Sequence, residues 1–169
     1  MLDRSQQTII RAPKMLEECT IKERWSGVND MIERWLEERQ ALIVQYCGVS
    51  GVHQFSPNQS HRRLEGFCQI LVDYVSAGHF EIYYQLLREA EEFKDGSAEL
   101  AKALFPQLNT TTEAALAFND NYSNVKPKEH LEGLTNHLSK LGETLESRFE
   151  LEDRLIEVMH DAHHDAVQA

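Results

Sequence analysis

The chain has 169 residues, of which 41% are hydrophobic, and this is enough for a single domain with one core. Its 28 acidic residues outnumber its 17 basic ones and give a formal net charge of −11, which disfavours direct nucleic-acid binding because few cations can neutralise phosphates. The 3 cysteines lie far apart without a Cys-x-x-Cys unit, which argues against a disulfide framework or a zinc site and is typical of a reducing compartment.

The chain contains no segment that we expect to enter a membrane. No apolar run approaches the roughly 20 residues of a membrane span. Residues 1–14 also lack the long apolar core of a secretion signal. We therefore expect a cytoplasmic protein without membrane contact.

The first predicted helix extends from Thr20 to about Cys47, where apolar residues recur every three or four positions. Its predicted buried stripe contains Trp25, Val28, Ile32, Trp35, Leu42, Ile43 and Tyr46. The charged residues between them, typical of a solvated outer face, are Glu33, Arg34, Glu37, Glu38 and Arg39.

Two further helices are predicted between residues 60 and 95. After a connection over residues 48–58, Ser60 is placed to cap the second helix. The third begins near Gly78 or His79 and ends before Asp95. The stripe of the second helix contains Leu64, Phe67, Cys68, Leu71, Tyr74 and Val75, and that of the third contains Phe80, Tyr83, Leu87 and Ala90.

The C-terminal half is predicted to contain a short helix, a second amphipathic segment and a long last helix. Ser97 is placed to cap the short helix, which ends near Phe105, and the next segment runs to residues 119–121. Pro127 prevents helix continuation in the loop over residues 124–128. The stripe of the last helix contains Leu131, Leu134, Leu138, Leu141, Leu145, Phe149, Leu155, Ile156 and Met159.

These segments together predict the fold class. No segment shows the sustained period-two alternation of a strand. The sequence therefore predicts an all-α fold, an antiparallel four-helix bundle with additional short helices and a long C-terminal helix. Aromatic residues expected to lie mostly in its core include Trp25, Trp35, Tyr46, Tyr74, Tyr83 and Tyr84.

A helical bundle can hold a di-metal centre, for which two helices each supply a Glu-x-x-His unit. The chain has one such unit, at residues 157–160. The neighbouring histidines, His160, His163 and His164, also complement the dipole at the end of a helix. We therefore predict no metal and no cofactor, and keep a metal-binding bundle as an alternative.

A second alternative is histidine phosphotransfer. His137, followed by Lys140 and Gly142, resembles the active histidine of a phosphotransfer bundle, although the glycine is displaced by one position. The sequence contains no nucleophile elbow and no Gly-rich loop after a strand. The favoured prediction is therefore a protein that is not an enzyme.

One helical face is difficult to explain by packing. At about 100° per residue, Asp73, Ser76, Ala77 and Phe80 project opposite the buried stripe of the second helix. A carboxylate, a hydroxyl, a small residue and an aromatic ring suit a recognition patch. In the other interpretation, Gly78 breaks the helix, Ser76 caps the next one and Phe80 turns inward. Projection leaves both open.

The same region resembles the Rsd/AlgQ family of anti-sigma factors through FCQ (residues 67–69), LVDYVSAGHF (71–80) and IY (82–83). Two more blocks agree, in the order of the family. The first helix contains ERW, RWL and ER (23–25, 34–36 and 38–39), and the last contains RFELED and LI (148–153 and 155–156). WLEERQ (35–40) and FND (118–120) are most similar to the pseudomonad AlgQ branch.

This resemblance implies a helical-bundle transcription regulator that binds the primary sigma factor of bacterial RNA polymerase. It implies that the C-terminal, promoter-recognising domain of sigma is bound, so that contacts with DNA and with core polymerase are blocked. The family's contact residues fall on Asp73, Ser76, Ala77 and Phe80, all unchanged in type. The negative charge of the chain suits a basic helix-turn-helix partner.

The two ends of the chain differ from the family pattern. MLEEC (residues 15–19) is similar to the usual beginning of the family, so either Met15 is the true start or residues 1–14 are an extension. We therefore divide the chain into an N-terminal extension (1–19, poorly ordered at its start), a single anti-sigma domain (20–165) and a tail (166–169).

Overall fold

The computed structural model describes residues 21–50, 56–124 and 133–168, with the backbone alone at residues 21–23. The described helices are α1 (Ile21–Ser50), α2 (Pro57–Ala77), a π-helical turn (Gly78–Ile82, the π-turn), α3 (Tyr83–Phe93), α4 (Ser97–Tyr122) and α5 (Leu134–Gln168). No strand occurs within these ranges. The predicted all-α fold is confirmed.

The bundle is built from α1, α2, α4 and α5. Helix α1 packs on α2 and α5, and α4 packs on the same two helices from the opposite side. Helix α3 continues from α2 through the π-turn and packs on α4 and α5. The largest fully buried apolar side chains are Trp35, Tyr74, Phe67, Leu42, Leu64, Leu71, Leu86, Leu108, Leu155 and Met159.

Most of the predicted stripes lie in this core. The long stripe of α5 is buried at nearly every turn from Leu134 to Met159. Leu131 and the proposed extension at residues 1–19 lie outside the described residues. Within the described ranges, no helix is both long and apolar enough to cross a membrane.

The start of α2 differs from the prediction. Ser56, not Ser60, is the N-cap, with Pro57 in the first turn. The Ser56 hydroxyl accepts from the Gln59 amide at 3.4 Å, while the Gln59 side chain accepts from the Ser56 amide at 3.3 Å. This reciprocal capping box gives a hydrogen-bond acceptor to the amides of Ser56 and Gln59, which the helix itself leaves unpaired. Ser60 lies one turn further on and is buried.

The middle of the chain also differs from the prediction, because α4 is one helix and not two. The chain continues helically through Pro106, which lies on the exposed side. A proline removes one helical hydrogen bond. The buried face, with Leu104, Leu108 and Ala115 at helical spacing, continues on both sides of it and holds α4 against α5. Packing therefore outweighs the local cost of the proline.

Replacing Ser56 by alanine tests the corrected helix start. We expect Ser56→Ala to lower the free energy of unfolding by about 1 kcal/mol, because the first turn of α2 loses its side-chain acceptor. The measurement is urea unfolding followed by circular dichroism. The control is Ser139→Ala on the exposed face of α5, and equal losses in the two variants would contradict the assignment of the cap.

Candidate protein-binding site

The four residues singled out from the sequence, Asp73, Ser76, Ala77 and Phe80, are called the contact face below. Asp73 is exposed, Ser76 and Ala77 are half-buried, and the Phe80 side chain is 74% exposed. The buried side of the same helix contains Leu64, Phe67, Cys68, Leu71, Tyr74 and Val75. The structure thus places the contact face on the outside of the bundle.

Asp73 is available to an external cation. Its Oδ1 accepts a hydrogen bond from Gln69 Nε2 at 3.1 Å, one helical turn earlier. Within the described ranges, no basic side chain forms an ion pair with this carboxylate. The Gln69 amide is a neutral donor, so the contact leaves the Asp73 side chain able to form an ion pair with a basic partner.

Gly78 does not break the helix. Its backbone is right-handed, with φ −56° and ψ −54°, and its amide donates to the carbonyls of Tyr74 and Val75. The π-turn follows directly and has no side-chain cap, so Ser76 does not cap a new helix. The interpretation in which Phe80 turns inward is therefore wrong, as is the predicted helix start at residues 78–79.

The π-turn shifts the buried face by one residue. In α2, buried residues recur at intervals of three and four up to Gly78. Continued seven residues, or two turns, beyond Gly78, the same spacing would bury Gln85. Gln85 is only half-buried, and the residues buried instead are Leu86 and, one turn later, Ala90. The extra residue of a π-turn accounts for this shift.

Tyr84 is a further exposed aromatic residue that the sequence assigned to the core. Its side chain is 64% exposed, and it lies four residues after Phe80, one turn along the same outer side. Tyr83 occupies the buried position beside it. The buried side of α3 is formed by Tyr83, Leu86 and Ala90, and Tyr84 lies outside it.

A buried carboxylate lies beneath this surface. Glu152 of α5 is fully buried and accepts four hydrogen bonds. Its Oε1 accepts from Arg148 Nε at 2.9 Å and Tyr83 Oη at 2.6 Å. Its Oε2 accepts from Tyr74 Oη at 2.5 Å and Arg39 Nη2 at 3.0 Å. All four acceptor positions of the carboxylate are therefore occupied.

Arg148, also fully buried, joins this carboxylate to two other helices. Its Nη1 donates to the Thr111 hydroxyl at 3.1 Å and to the Thr112 hydroxyl at 2.7 Å. Its Nη2 donates to the Val75 carbonyl at 3.4 Å. The guanidinium thus ties α5 to α4 and to the end of α2.

Arg39 completes the network and corrects the prediction that it lies on a solvated face. Its side chain is only 12% exposed. Besides Glu152, it donates to Tyr74 Oη at 3.2 Å and to Asp153 Oδ1 at 2.6 Å, and it lies over the Phe149 ring at 4.8 Å. Arg39, Tyr74, Tyr83, Arg148 and Glu152, with Thr111 and Thr112, are called the buried network below.

The sequence contains one signal for this network. The buried positions of α5 recur at alternating intervals of four and three, and Arg148 and Glu152 fall on that series. The series runs Leu141, Leu145, Arg148, Glu152, Leu155, Met159. Opposite charges four residues apart on an apolar stripe indicate a buried pair.

The histidines considered for metal chemistry pack against an aromatic ring. The Trp25 ring stacks on His163, with centroids 4.5 Å apart, and meets His160 edge-on at 5.1 Å. Within the described ranges, no group of three or more His, Cys, Asp or Glu side chains is arranged to hold a metal ion. His137 is exposed, and its Nδ1 is hydrogen-bonded to Tyr122 Oη.

A family model and individual related proteins both match this chain, and their descriptions agree with each other. The family described as "Regulator of RNA polymerase sigma(70) subunit, Rsd/AlgQ" matches residues 15–160. The chain is 34% identical to the "Regulator of sigma D" of Yersinia enterocolitica over 142 residues, 82% of this chain and 85% of that protein. It is 36% identical to the protein of that name from Enterobacter sp. (strain 638) over 146 residues, 84% and 87% of the two chains. No solved structure matches the chain.

The buried network gives a testable pH dependence. Burial, followed by the negative charge of Glu152, raises the pKa of Tyr74 and of Tyr83 well above the ordinary value of 10.0. The unfolded chain therefore ionises first. Below pH 10 both states are neutral at these positions, and above it each tyrosine lowers the free energy of unfolding by about 1.4 kcal/mol per pH unit.

The free energy of unfolding should fall less steeply between pH 10 and pH 11 in the Tyr83→Phe variant, because the contribution of one tyrosine is removed. The measurement is urea unfolding at each pH. The matched control is Tyr84→Phe, which removes an exposed phenol outside the buried network. Equal changes of slope in the two variants would show that the Tyr83 hydroxyl is not held as described.

Proposed function

Since the chain belongs to the Rsd/AlgQ family of regulators of the RNA polymerase sigma(70) subunit, we propose that it is an anti-sigma factor for the primary sigma factor. It binds the C-terminal, promoter-recognising domain of sigma. The complex blocks the contacts of that domain with DNA and with core polymerase. The protein acts in the cytoplasm by binding and not by catalysis.

The exposed Phe80 ring is the observation that carries this proposal. A large aromatic side chain that is 74% exposed, beside half-buried Ala77, offers an apolar anchor next to a position where a partner can approach closely. Aromatic residues of this kind commonly contribute most of the binding energy of an interface. Tyr84 extends the apolar area by one turn.

The charges of the two proteins support the same partner. A domain that reads a promoter through a helix-turn-helix presents basic side chains to phosphates. Asp73 is exposed and has no ion pair among the described residues, which supports its pairing with an arginine of such a domain. The net charge of −11 favours the approach of a basic surface over a wide distance. Occupying that surface excludes DNA from it.

Charge reversal tests the assignment of the partner. We expect Asp73→Arg to weaken capture of the purified C-terminal sigma domain by about 10-fold to 100-fold, because it places like charges together at the interface. The measurement is calorimetry, supported by co-purification with RNA polymerase subunits. The thermal midpoint stays within a few degrees, since Asp73 is exposed.

The control for this variant is Asp120→Arg, which makes the same two-unit change in net charge on the exposed side of α4. Equal weakening by both variants would mean that overall charge, not the contact face, carries the binding. Undiminished capture by Asp73→Arg would show that this face is not the interface.

Truncation of the aromatic ring tests the anchor. We expect Phe80→Ala to weaken sigma binding by about 30-fold or more, the effect of an interface hot spot of about 2 kcal/mol, while urea unfolding is unchanged. The control is Leu100→Ala, which truncates a 60% exposed side chain on α4. Loss of binding in the Leu100 variant, or its retention in the Phe80 variant, would contradict the proposal.

A further inference from the structure

The π-turn that carries Phe80 rests on the buried guanidinium of Arg148. Arg148 Nη2 donates to the Val75 carbonyl, which also accepts from the Gly78 amide. At the other end of the turn, the Tyr83 amide donates to the Gly78 carbonyl, a π-helical bond that spans five residues. One side chain from α5 therefore contacts the backbone at the point where the helical register changes.

Gly78 is the residue that permits this close approach. A Cβ at this position would lie 3.0 Å from Arg148 Nη2 and 3.2 Å from the Cζ and Oη atoms of Tyr83. Both neighbours belong to the buried network, where Arg148 and Tyr83 each bond to Glu152, so neither can move freely. The glycine is needed for space, since its φ of −56° is open to any residue.

Arg148 is itself held from three sides. Thr111 and Thr112 accept from its Nη1, and Glu152 accepts from its Nε. A guanidinium is planar, and its donors point in fixed directions. Because the contacts from α4 and α5 hold Nε and Nη1, the direction in which Nη2 points is also fixed. Nη2 lies against Val75 and Gly78.

The position of Phe80 depends on this turn. Phe80 lies in the middle of Gly78–Ile82. Phe80 stays on the side of Asp73, Ser76 and Ala77, and the extra residue of the turn rotates the side chains beyond Ile82 by about 100°. The backbone that carries the Phe80 ring is therefore the segment that Arg148 contacts through Val75 and Gly78.

We propose that Arg148 is a positioning residue for sigma-factor binding: through Val75 and Gly78 it holds the backbone of the π-turn, and with it the Phe80 ring, beside the rest of the contact face. This inference rests on the proposed function. It assigns a role in binding to a side chain that is fully buried and touches no partner.

A double-mutant cycle between Gly78 and Phe80 tests the inference. The affinity for the purified C-terminal sigma domain is measured for the unaltered chain, Gly78→Ala, Phe80→Ala and the double variant. If the glycine acts through Phe80, Gly78→Ala weakens binding at least tenfold, and Phe80→Ala then costs less than about threefold in the Gly78→Ala background, against about 30-fold in the unaltered chain.

Gly27→Ala is the matched control, because a Cβ there meets nothing within 4 Å. Circular dichroism establishes that each variant is folded before its affinity is measured. If Gly78→Ala does not fold, Arg148→Lys takes its place in the cycle. It keeps a positive charge beside Glu152 but lacks the second nitrogen that reaches Val75.

The outcomes separate the inference from the proposed function. A Phe80→Ala variant that binds sigma normally overturns both, because the contact face itself is then wrong. A Phe80→Ala effect that persists at about 30-fold in the Gly78→Ala or Arg148→Lys background overturns the positioning role alone, since independent effects multiply. A folded Gly78→Ala variant with full affinity for sigma also overturns the positioning role alone.

Discussion

The structure depends on the ion pair between Arg148 and Glu152 at the centre of the bundle. Both side chains are fully buried, and both use their hydrogen-bonding capacity on other helices. Arg39 reaches the pair from α1, Tyr74 from α2, Tyr83 from α3, and two threonines from α4. Removing one partner of such a pair typically costs about 3–5 kcal/mol, because a charge is left buried and unpaired.

A buried ion pair is weak evidence for net stability. Replacing such a pair by apolar side chains of equal volume is often neutral or stabilising. Here the hydrogen bonds are directional, and they meet the bundle at the point where α2 gives way to the π-turn. Arg148 thus contacts, from inside the bundle, the same short segment that carries the contact face on the outside.

Much of the fold was predictable because local physics determines it. The spacing of leucines in α5, the absence of strand patterns and the stripe of α2 all follow from the burial of apolar side chains. The prediction failed where a local signal competed with packing. A short helix was predicted to end near Phe105, and the buried face on both sides of Pro106 carried the helix onward. Ser60 suggested a cap, and a complete capping box was available one turn earlier.

The sequence by itself determined the fold class and the family, because these follow from periodicity and from motifs, and it predicted the four residues of the contact face through the family resemblance. Three outcomes were decided only by the tertiary structure. Gly78 continues the helix, and Tyr83 is buried while Tyr84 is exposed. The Arg39 side chain is largely buried and not on a solvated face. The physical reason is the same in each case. Gly78, Tyr83 and Arg39 each lie against Arg148 or Glu152, which are more than 60 positions away in the chain and meet these residues only when the bundle closes.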